Sequence, residues 1–389
     1  MAKRINRRFW FQLHGWFSLP VWVIFSFVCL TGTISVMSHE ITWLVNPDAR
    51  ADNPGQLKEK PVGDIVRAVQ QAYPTADVRW VMPREPYLAY AVKFTDSDKP
   101  AATAYVNQYT GEVQEVFQGM TFIGFMRALH GWLLFPWHHS FSVGYYLVSL
   151  MAFVMLGALI TGLVVYKKFW RAFFAPQLRL TKGKRILLQD LHRFSGVWSM
   201  WFLLVISVTG LWYFAQAIMW HSGVEIEPHA PIVQNQDLPR HQLEIPPPSF
   251  KITLDQALNI AKQQYTDFSP SFVMLPEHNR DTYKLAGAGD FIFYDEYSYK
   301  MSINPWNGDI EASQSPESMT PLQTLSHIAD PLHYGTIGAI WTKILWFVFG
   351  VILSGMSIIG FFIWRLRLVK MKQEAKSSEQ NEMQVQELS

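Results

Sequence analysis

Four stretches of this chain carry no charged side chain: residues 16–37, 141–166, 194–220 and 344–364. About 20 apolar residues in a helix span a bilayer core. A helix buried in a globular core is rarely so long and so free of charge. Four transmembrane helices are therefore expected, and they limit every other element to the membrane surface or beyond it. Within the 389 residues, 49% are hydrophobic, an ordinary share. Their clustering, not their number, defines the class.

Basic residues set the expected orientation. Lys3, Arg4, Arg7 and Arg8 precede the first run. Lys167, Lys168, Arg171, Arg179, Lys182, Lys184, Arg185 and Arg193 lie between the second and third, against the single acid Asp190. Arg365, Arg367, Lys370 and Lys372 come after the fourth. An excess of Lys and Arg marks the cytoplasmic side. Both termini and the middle loop are expected inside and the two long loops, roughly 39–140 and 221–340, outside. The first run is longer than the apolar region of a signal peptide and no A-x-A site comes after it, so it is expected to be retained. The net charge of +2 averages basic inner loops with mixed outer ones and implies no nucleic-acid partner.

The expected division is an N-terminus and first span at 1–38, an outer domain at 39–140 and a second span at 141–166. A cytoplasmic loop at 167–193, a third span at 194–220 and a second outer domain at 221–336 come next. A fourth span at 337–364 and a tail at 365–389 complete it, the tail polar and expected to be disordered past about Lys372.

One cysteine, Cys29, lies inside the first run. It excludes an internal disulfide, an Fe–S cluster, a thiolate zinc site and a C-x-x-C-H haem attachment. No G-x-G-x-x-G, P-loop or H-E-x-x-H is present. An electron donor, if one is needed, must come from elsewhere.

The chain reads as two copies of one plan. His14 and His192 each stand 18 residues before the glycine of a Thr-Gly pair, Thr31-Gly32 and Thr209-Gly210. Thr161-Gly162 and Ser354-Gly355 sit in the second and fourth runs. Such small-residue steps let helices approach closely. In the outer loops, VGDIVRAVQQAYP (62–74) resembles TLDQALNIAKQQYT (253–266), both with apolar residues at helical spacing. AYVNQYTGEVQEV (104–116) resembles KMSINPWNGDIEA (300–312), with Gly111 and Gly308 in turns between alternating strands. Two small α+β outer domains are expected on a four-helix bundle. Functional sites in such duplicated membrane proteins fall between the copies.

KEKPVGDIVRAVQQAYPTADV and then AYVNQYTGEV, set between spans, resemble the PepSY domain. The whole chain from about residue 9 to 370 resembles the PepSY-associated transmembrane family, its marks being LHGW twice, LHRF and LHYG. Within that family it is similar to the inner-membrane ferric-siderophore reductases. The resemblance implies a di-haem protein that passes electrons to iron complexes in the periplasm.

Only four of the twelve histidines come directly after a leucine: His14, His130, His192 and His333. Each stands shortly before an apolar run or at its start. Any one alone reads equally well as an interfacial imidazole bonded to water and headgroups. The repeat, however, pairs His14 with His192 near the inner face and His130 with His333 near the outer face. Histidine at membrane depth usually has a function. A zinc or copper site needs three or four ligands, and the inner pair has no third histidine or thiolate nearby. Two axial imidazoles on a haem b fit better. Two such bis-His haems are the expected cofactors. At the outer face His39, His221 and His327 rival His333, and with His138 and His139 they leave a metal cluster open.

Trp43, Trp80, Arg84, Tyr87, Tyr90, Arg127, Arg280 and Trp306 are candidate contacts for an acceptor, though loops of this composition are ordinary. Glu40 and Asp330 are candidates to orient an outer imidazole. The expected partners are a ferric siderophore or other periplasmic iron complex, a cytoplasmic reductase or quinol as donor, and the lipid bilayer. Two alternatives differ in class. One is a haem-free PepSY-type binding or regulatory protein. The other is an iron-complex transporter, against which stand spans with no charge and no strong interruption, Pro20 being their only proline.

Overall fold

The computed structural model describes residues 6–387 apart from 167, 168, 176 and 239–249. Lys3, Arg4, Lys167 and Lys168, which contribute to the expected orientation, lie outside the described residues.

The helices in chain order are α1 (Arg7–Ser18), α2 (Trp22–Val36), α3 (Ser38–Val45), α4 (Val62–Ala72), α5 (Phe122–Trp132) and α6 (Val143–Val165). They continue as α7 (Phe169–Phe174), α8 (Lys184–Trp198), α9 (Met200–His221), α10 (Leu254–Gln264), α11 (Pro321–Tyr334) and α12 (Ala339–Glu387). The chain divides into two compact units. One takes Met1–Val36, Ala128–Ile218 and Ile340–Ser389; the other takes Met37–Arg127 and Met219–Ala339.

In the first unit α6, α9 and α12 are each long and apolar enough to cross a membrane. The fourth candidate is the pair α1 and α2, bent by 63°. Pro20 explains the bend: it has no N–H to donate and its ring strikes the carbonyl four residues back. The expectation of uninterrupted spans is thus corrected at the first one. Phe25, Met151, Met155, Phe202, Leu203, Trp346 and Leu353 form one apolar cluster, drawn from α2, α6, α9 and α12. Between spans in lipid, such a cluster stabilises through close packing rather than through removal from water. The tail also differs from expectation. α12 does not stop near Trp364 but continues to Glu387. The stretch past Lys372 has no Gly or Pro and is rich in Glu and Gln, both good helix formers. Lys370 and Glu374, one turn apart, pair at 3.4 Å.

The second unit is built on eight antiparallel strands: β1 (Asp77–Met82), β2 (Tyr90–Asp96), β3 (Lys99–Val106), β4 (Val113–Gln118), β5 (Ser269–Met274), β6 (Tyr283–Ala288), β7 (Tyr299–Ile303) and β8 (Ile310–Gln314). Their order is β4-β3-β2-β1-β5-β6-β7-β8. The two outer loops therefore do not stand as two separate sheets. Each supplies a four-stranded meander, and the meanders join where β1 pairs with β5. The seam is short, Trp80 opposite Met274 and Val81 opposite Val273. Arg79 reinforces it, bonding Asp77 at 2.9 Å and Glu277 at 2.8 Å.

The repeat is visible in the turns. Gly111 and Gly308 adopt φ of 78° and 83°, a region open to glycine at no steric cost. Each donates its N–H to the carbonyl of the asparagine that opens the turn, Asn107 or Asn304, at 2.8 and 3.0 Å. On one face α4 and α10 share a core with both meanders, centred on Ile65, Val69, Val92, Phe94, Val273, Leu285 and Ile303. The two helices start differently. Thr253 and Gln256 make a reciprocal capping box on α10. α4 begins after Pro61 and has no side-chain cap of its own. Asp255, on α10, supplies one instead: its Oδ1 accepts the Gly63 N–H at 2.8 Å.

Candidate functional site

All four Leu-His histidines lie on short helices that precede an apolar helix, not on the apolar helices themselves. His14 is on α1, His130 on α5, His192 on α8 and His333 on α11. A break separates each from its apolar successor: Leu19–Val21, the 133–142 loop, Ser199, and the Gly335 turn. The local sequence dictates this at α11, which opens on a Thr320–Gln323 capping box with Pro321 in its first turn and closes on Gly335 at φ 74°.

Within the first unit the structure brings His14 and His192 together. Their ring centres are 6.2 Å apart and their planes stand at 78°. His192 Nδ1 is 3.2 Å from the Met356 carbonyl, which can only accept, so Nδ1 carries the proton. His14 Nδ1 is 2.9 Å from Thr161 Oγ1. That hydroxyl gives its own hydrogen to the Gly157 carbonyl at 2.6 Å, so it accepts from the imidazole. A ring whose Nδ1–H is donated carries its lone pair on Nε2, the atom a metal takes.

Both rings rest on a glycine. A Cβ at Gly162 would sit 3.5 Å from His14 Cε1, and one at Gly360 would sit 3.5 Å from His192 Cε1. The carbonyl partner of His192, Met356, lies four residues before Gly360, and His14 has a backbone partner at Ala158, four before Gly162. His14 and His192 are thus held alike.

His130 repeats the pattern on α2. Its Nδ1 is 3.4 Å from Thr31 Oγ1 and its backbone partner is Val28, four residues before Gly32. Here the fit is tighter, since a Cβ at Gly32 would come within 2.7 Å of His130 Cε1. The Thr-Gly pairs Thr31-Gly32 and Thr161-Gly162 are therefore histidine cradles. The threonine orients the ring and the glycine makes room for it. Sequence alone marks these pairs only as helix contacts. A signal exists in the constant spacing of Leu-His and Thr-Gly, but which helix meets which ring is a tertiary fact. Gly210, of the third pair, faces Ala152 instead: its Cβ would lie 2.8 Å from that of Ala152.

Asp190, two residues before His192, ties the start of α8 to the loop before it. Its carboxylate accepts from Arg179 Nε at 2.9 Å and Nη2 at 2.7 Å, and Arg193 lies at 3.1 Å. The Arg179 guanidinium beside it holds this carboxyl below the usual range.

Of the other candidate histidines, His138 and His139 fall in the first unit and His39, His221, His327 and His333 in the second. His333 is in the last turn of α11, and His221 ends α9. His39, on α3, bonds Glu85 Oε1 through Nδ1 at 2.7 Å. His327 is buried on α11 with Nδ1 2.7 Å from Asp295 and Nε2 3.2 Å from Glu227, the second contact an ion pair without good hydrogen-bond alignment. Burial alone would lower its pKa; the two carboxylates reverse that and raise it to about 9. His327 is an imidazolium with both nitrogens engaged. Among the described residues no group of three or more His, Cys, Asp or Glu is placed to hold a metal ion. Of the candidate acceptor contacts, Trp306 is core, 3% exposed with Nε1 bonded to the Asn279 carbonyl. Tyr90 is buried on Glu59, and Tyr87 donates to Glu40.

Apolar helices of membrane-crossing length, beside a large antiparallel sheet, define a membrane protein with a substantial extramembrane unit. Residues 11–367 match the family described as PepSY-associated TM region, nearly the whole chain, and the chain belongs to that family. No curated protein matches it.

Proposed function

We propose that the chain is a haem-dependent oxidoreductase of a bacterial inner membrane. On this reading it takes electrons on the cytoplasmic side, from a reductase or quinol, and delivers them to a periplasmic acceptor. Resemblance nominates a ferric siderophore, whose Fe(III) takes one electron to become Fe(II) and is released.

The observation that carries the reading is the His14–His192 pair. Their ring centres lie 6.2 Å apart, and both rings are held at Nδ1, so each could present Nε2 to one shared metal ion. His14 and His192 would hold one haem b, and His130 would hold a second, with His333 nominated as its partner by the sequence repeat. Bound there, haem supplies one-electron transfer in an apolar setting.

The chain's own residues do the rest. Thr161 and the Met356 carbonyl fix the two inner tautomers. Gly162 and Gly360 let the rings lie against their helices. The apolar cluster of α2, α6, α9 and α12, proposed as a four-helix bundle, excludes water. The two meanders, proposed as PepSY-type halves, would form the periplasmic unit, with both termini cytoplasmic. The transporter alternative gains nothing from the broken first span. The break at Pro20 separates a histidine-bearing helix from its apolar successor, as Ser199 does in the other repeat.

The absorption spectrum of the purified protein tests this. Two non-covalent b-type haems per chain, six-coordinate and low-spin in both oxidation states, are expected. A colourless, folded preparation from haem-replete cells would end the redox reading. Reduced protein given a ferric hydroxamate and a ferrous trap should reoxidise and release Fe(II). If it stays reduced there but reoxidises with another periplasmic oxidant, the siderophore assignment fails and the electron path stands.

A further inference from the structure

The connection between α6 and α9 carries a surface that the redox reading does not use. α6 ends at Val165 and α7 begins at Phe169. Those four steps reach at most roughly 14 Å, so α7 stays close to the end of a membrane-crossing helix. Phe173 turns it toward α8, stacking on Trp198 with ring centres 5.1 Å apart and planes at 16°. Trp170 and Phe174, one turn apart, stack instead on each other at 6.4 Å. They are 63% and 77% exposed. Leu178 and Leu180, farther toward α8, are exposed as well. Single exposed apolar side chains are ordinary, but a run of them rimmed by charge marks an interaction surface.

The free charge on this surface has one sign. Asp190 is the only acid between the two apolar helices. It is buried and already engaged, by Arg179 at 2.7 Å and Arg193 at 3.1 Å. The backbone N–H of Arg179 donates to it too, at 3.1 Å. These bonds fasten the connection against α8. They also leave Arg171, Lys182 and Lys184, all exposed, with no acid of the segment to offset them. Arg171 comes one residue after Trp170, about 100° round the helix from it, so it flanks the exposed ring pair rather than opposing it. Apolar side chains flanked by bases, on a helix tethered to a span, are the pattern of an interfacial anchor. The bilayer is the partner that this tether keeps within reach, and the bases select its anionic lipids.

We propose that α7 and the connection to α8 form a binding surface for anionic phospholipid. Trp170, Phe174, Leu178 and Leu180 seat at the boundary between headgroups and acyl chains. Arg171, Lys182 and Lys184 meet the lipid phosphates through charge-assisted hydrogen bonds. Phe173, on Trp198, sets which rings face the lipid, and Asp190 keeps the connection folded so that rings and bases act together. The surface is independent of any haem.

Electron spin resonance of the full chain in phosphatidylcholine vesicles tests the proposal, with trace spin-labelled phosphatidylglycerol or phosphatidylcholine as the probe. The motionally restricted fraction should favour phosphatidylglycerol at least threefold. The triple variant Arg171→Gln, Lys182→Gln, Lys184→Gln should lose that preference, and Lys262→Gln, on α10, should keep it. If the triple variant does not reconstitute, Lys182→Gln with Lys184→Gln is measured in its place and should at least halve the preference. Brominated phosphatidylglycerol should quench the parent's tryptophan fluorescence more than that of Trp170→Phe, which places the ring in lipid. The proposal is overturned if the two lipids associate equally, if the glutamine variants keep the parent's preference, or if Trp170→Phe is quenched as much as the parent. It is also overturned if inorganic phosphate abolishes the preference where chloride of equal ionic strength does not, since the bases then hold a free anion and not a lipid.

Discussion

At the scale of single residues, two glycines of like sequence make opposite predictions. A Cβ at Gly162 meets His14 at ordinary van der Waals distance, whereas one at Gly32 would press to 2.7 Å on His130. Gly162→Ala should leave the haem spectrum near the parent's; Gly32→Ala should shift or remove the component that depends on His130. Equal effects would mean that the His130 cradle is misread. His14→Ala or His192→Ala should each remove one haem of two, as counted by haemochrome assay. His327 gives a pH prediction. Its folded pKa, about 9, lies above the ordinary 6.5, so its ion pairs stabilise fully below about 6.5 and are lost as pH rises through 9. The gap corresponds to roughly 3 kcal/mol. Melting temperature should fall across that window, and His327→Gln should flatten the fall; a parent whose melting does not change from pH 6.5 to 9.5 would contradict it. The Leu-His repeat makes the four histidines legible in the sequence. The engagement of His327 by Asp295 and Glu227 is not legible there, because these partners lie 32 and 100 residues away in the chain and carry no local mark.

Among the elements, composition places the apolar helices and the two amphipathic ones, α4 and α10, close to where they lie. It fails at junctions. Pro20 sits in a run that composition marks as one continuous span, yet the chain bends there by 63°. The polar tail, expected to be disordered, has residue types that favour the helix α12 continues. The missing N-cap of α4 is also invisible in the sequence, since its replacement comes from another helix. Gly63→Ala should destabilise the sheet unit by about 1–2 kcal/mol, the usual worth of a lost cap, because the new methyl would strike the Asp255 carboxylate. Urea unfolding measures this, and Gly63→Ala combined with Asp255→Ala should cost little beyond Asp255→Ala alone. Additive losses would separate the two residues.

For the molecule as a whole, charge asymmetry predicts topology: a reporter active only in the periplasm should give signal when fused after residue 100 or 290 and none after 180. The opposite pattern would reverse the proposed direction of electron flow. Duplication is legible too, in paired turns and helices, but the single sheet is not, because nothing in the pattern of β1 marks which strand it will meet. That seam has a consequence for biogenesis. β1 is a finished edge only when β5 arrives, about 190 residues later, or some 10–40 s at a synthesis rate of roughly 5–20 residues per second. During that interval the first meander carries an unsatisfied ladder, an invitation to pair with any extended neighbour. The bulge at Arg79 and the charges of Asp77 and Arg79 on that edge then act as guards for a newborn chain, discouraging wrong partners until the right one has been made.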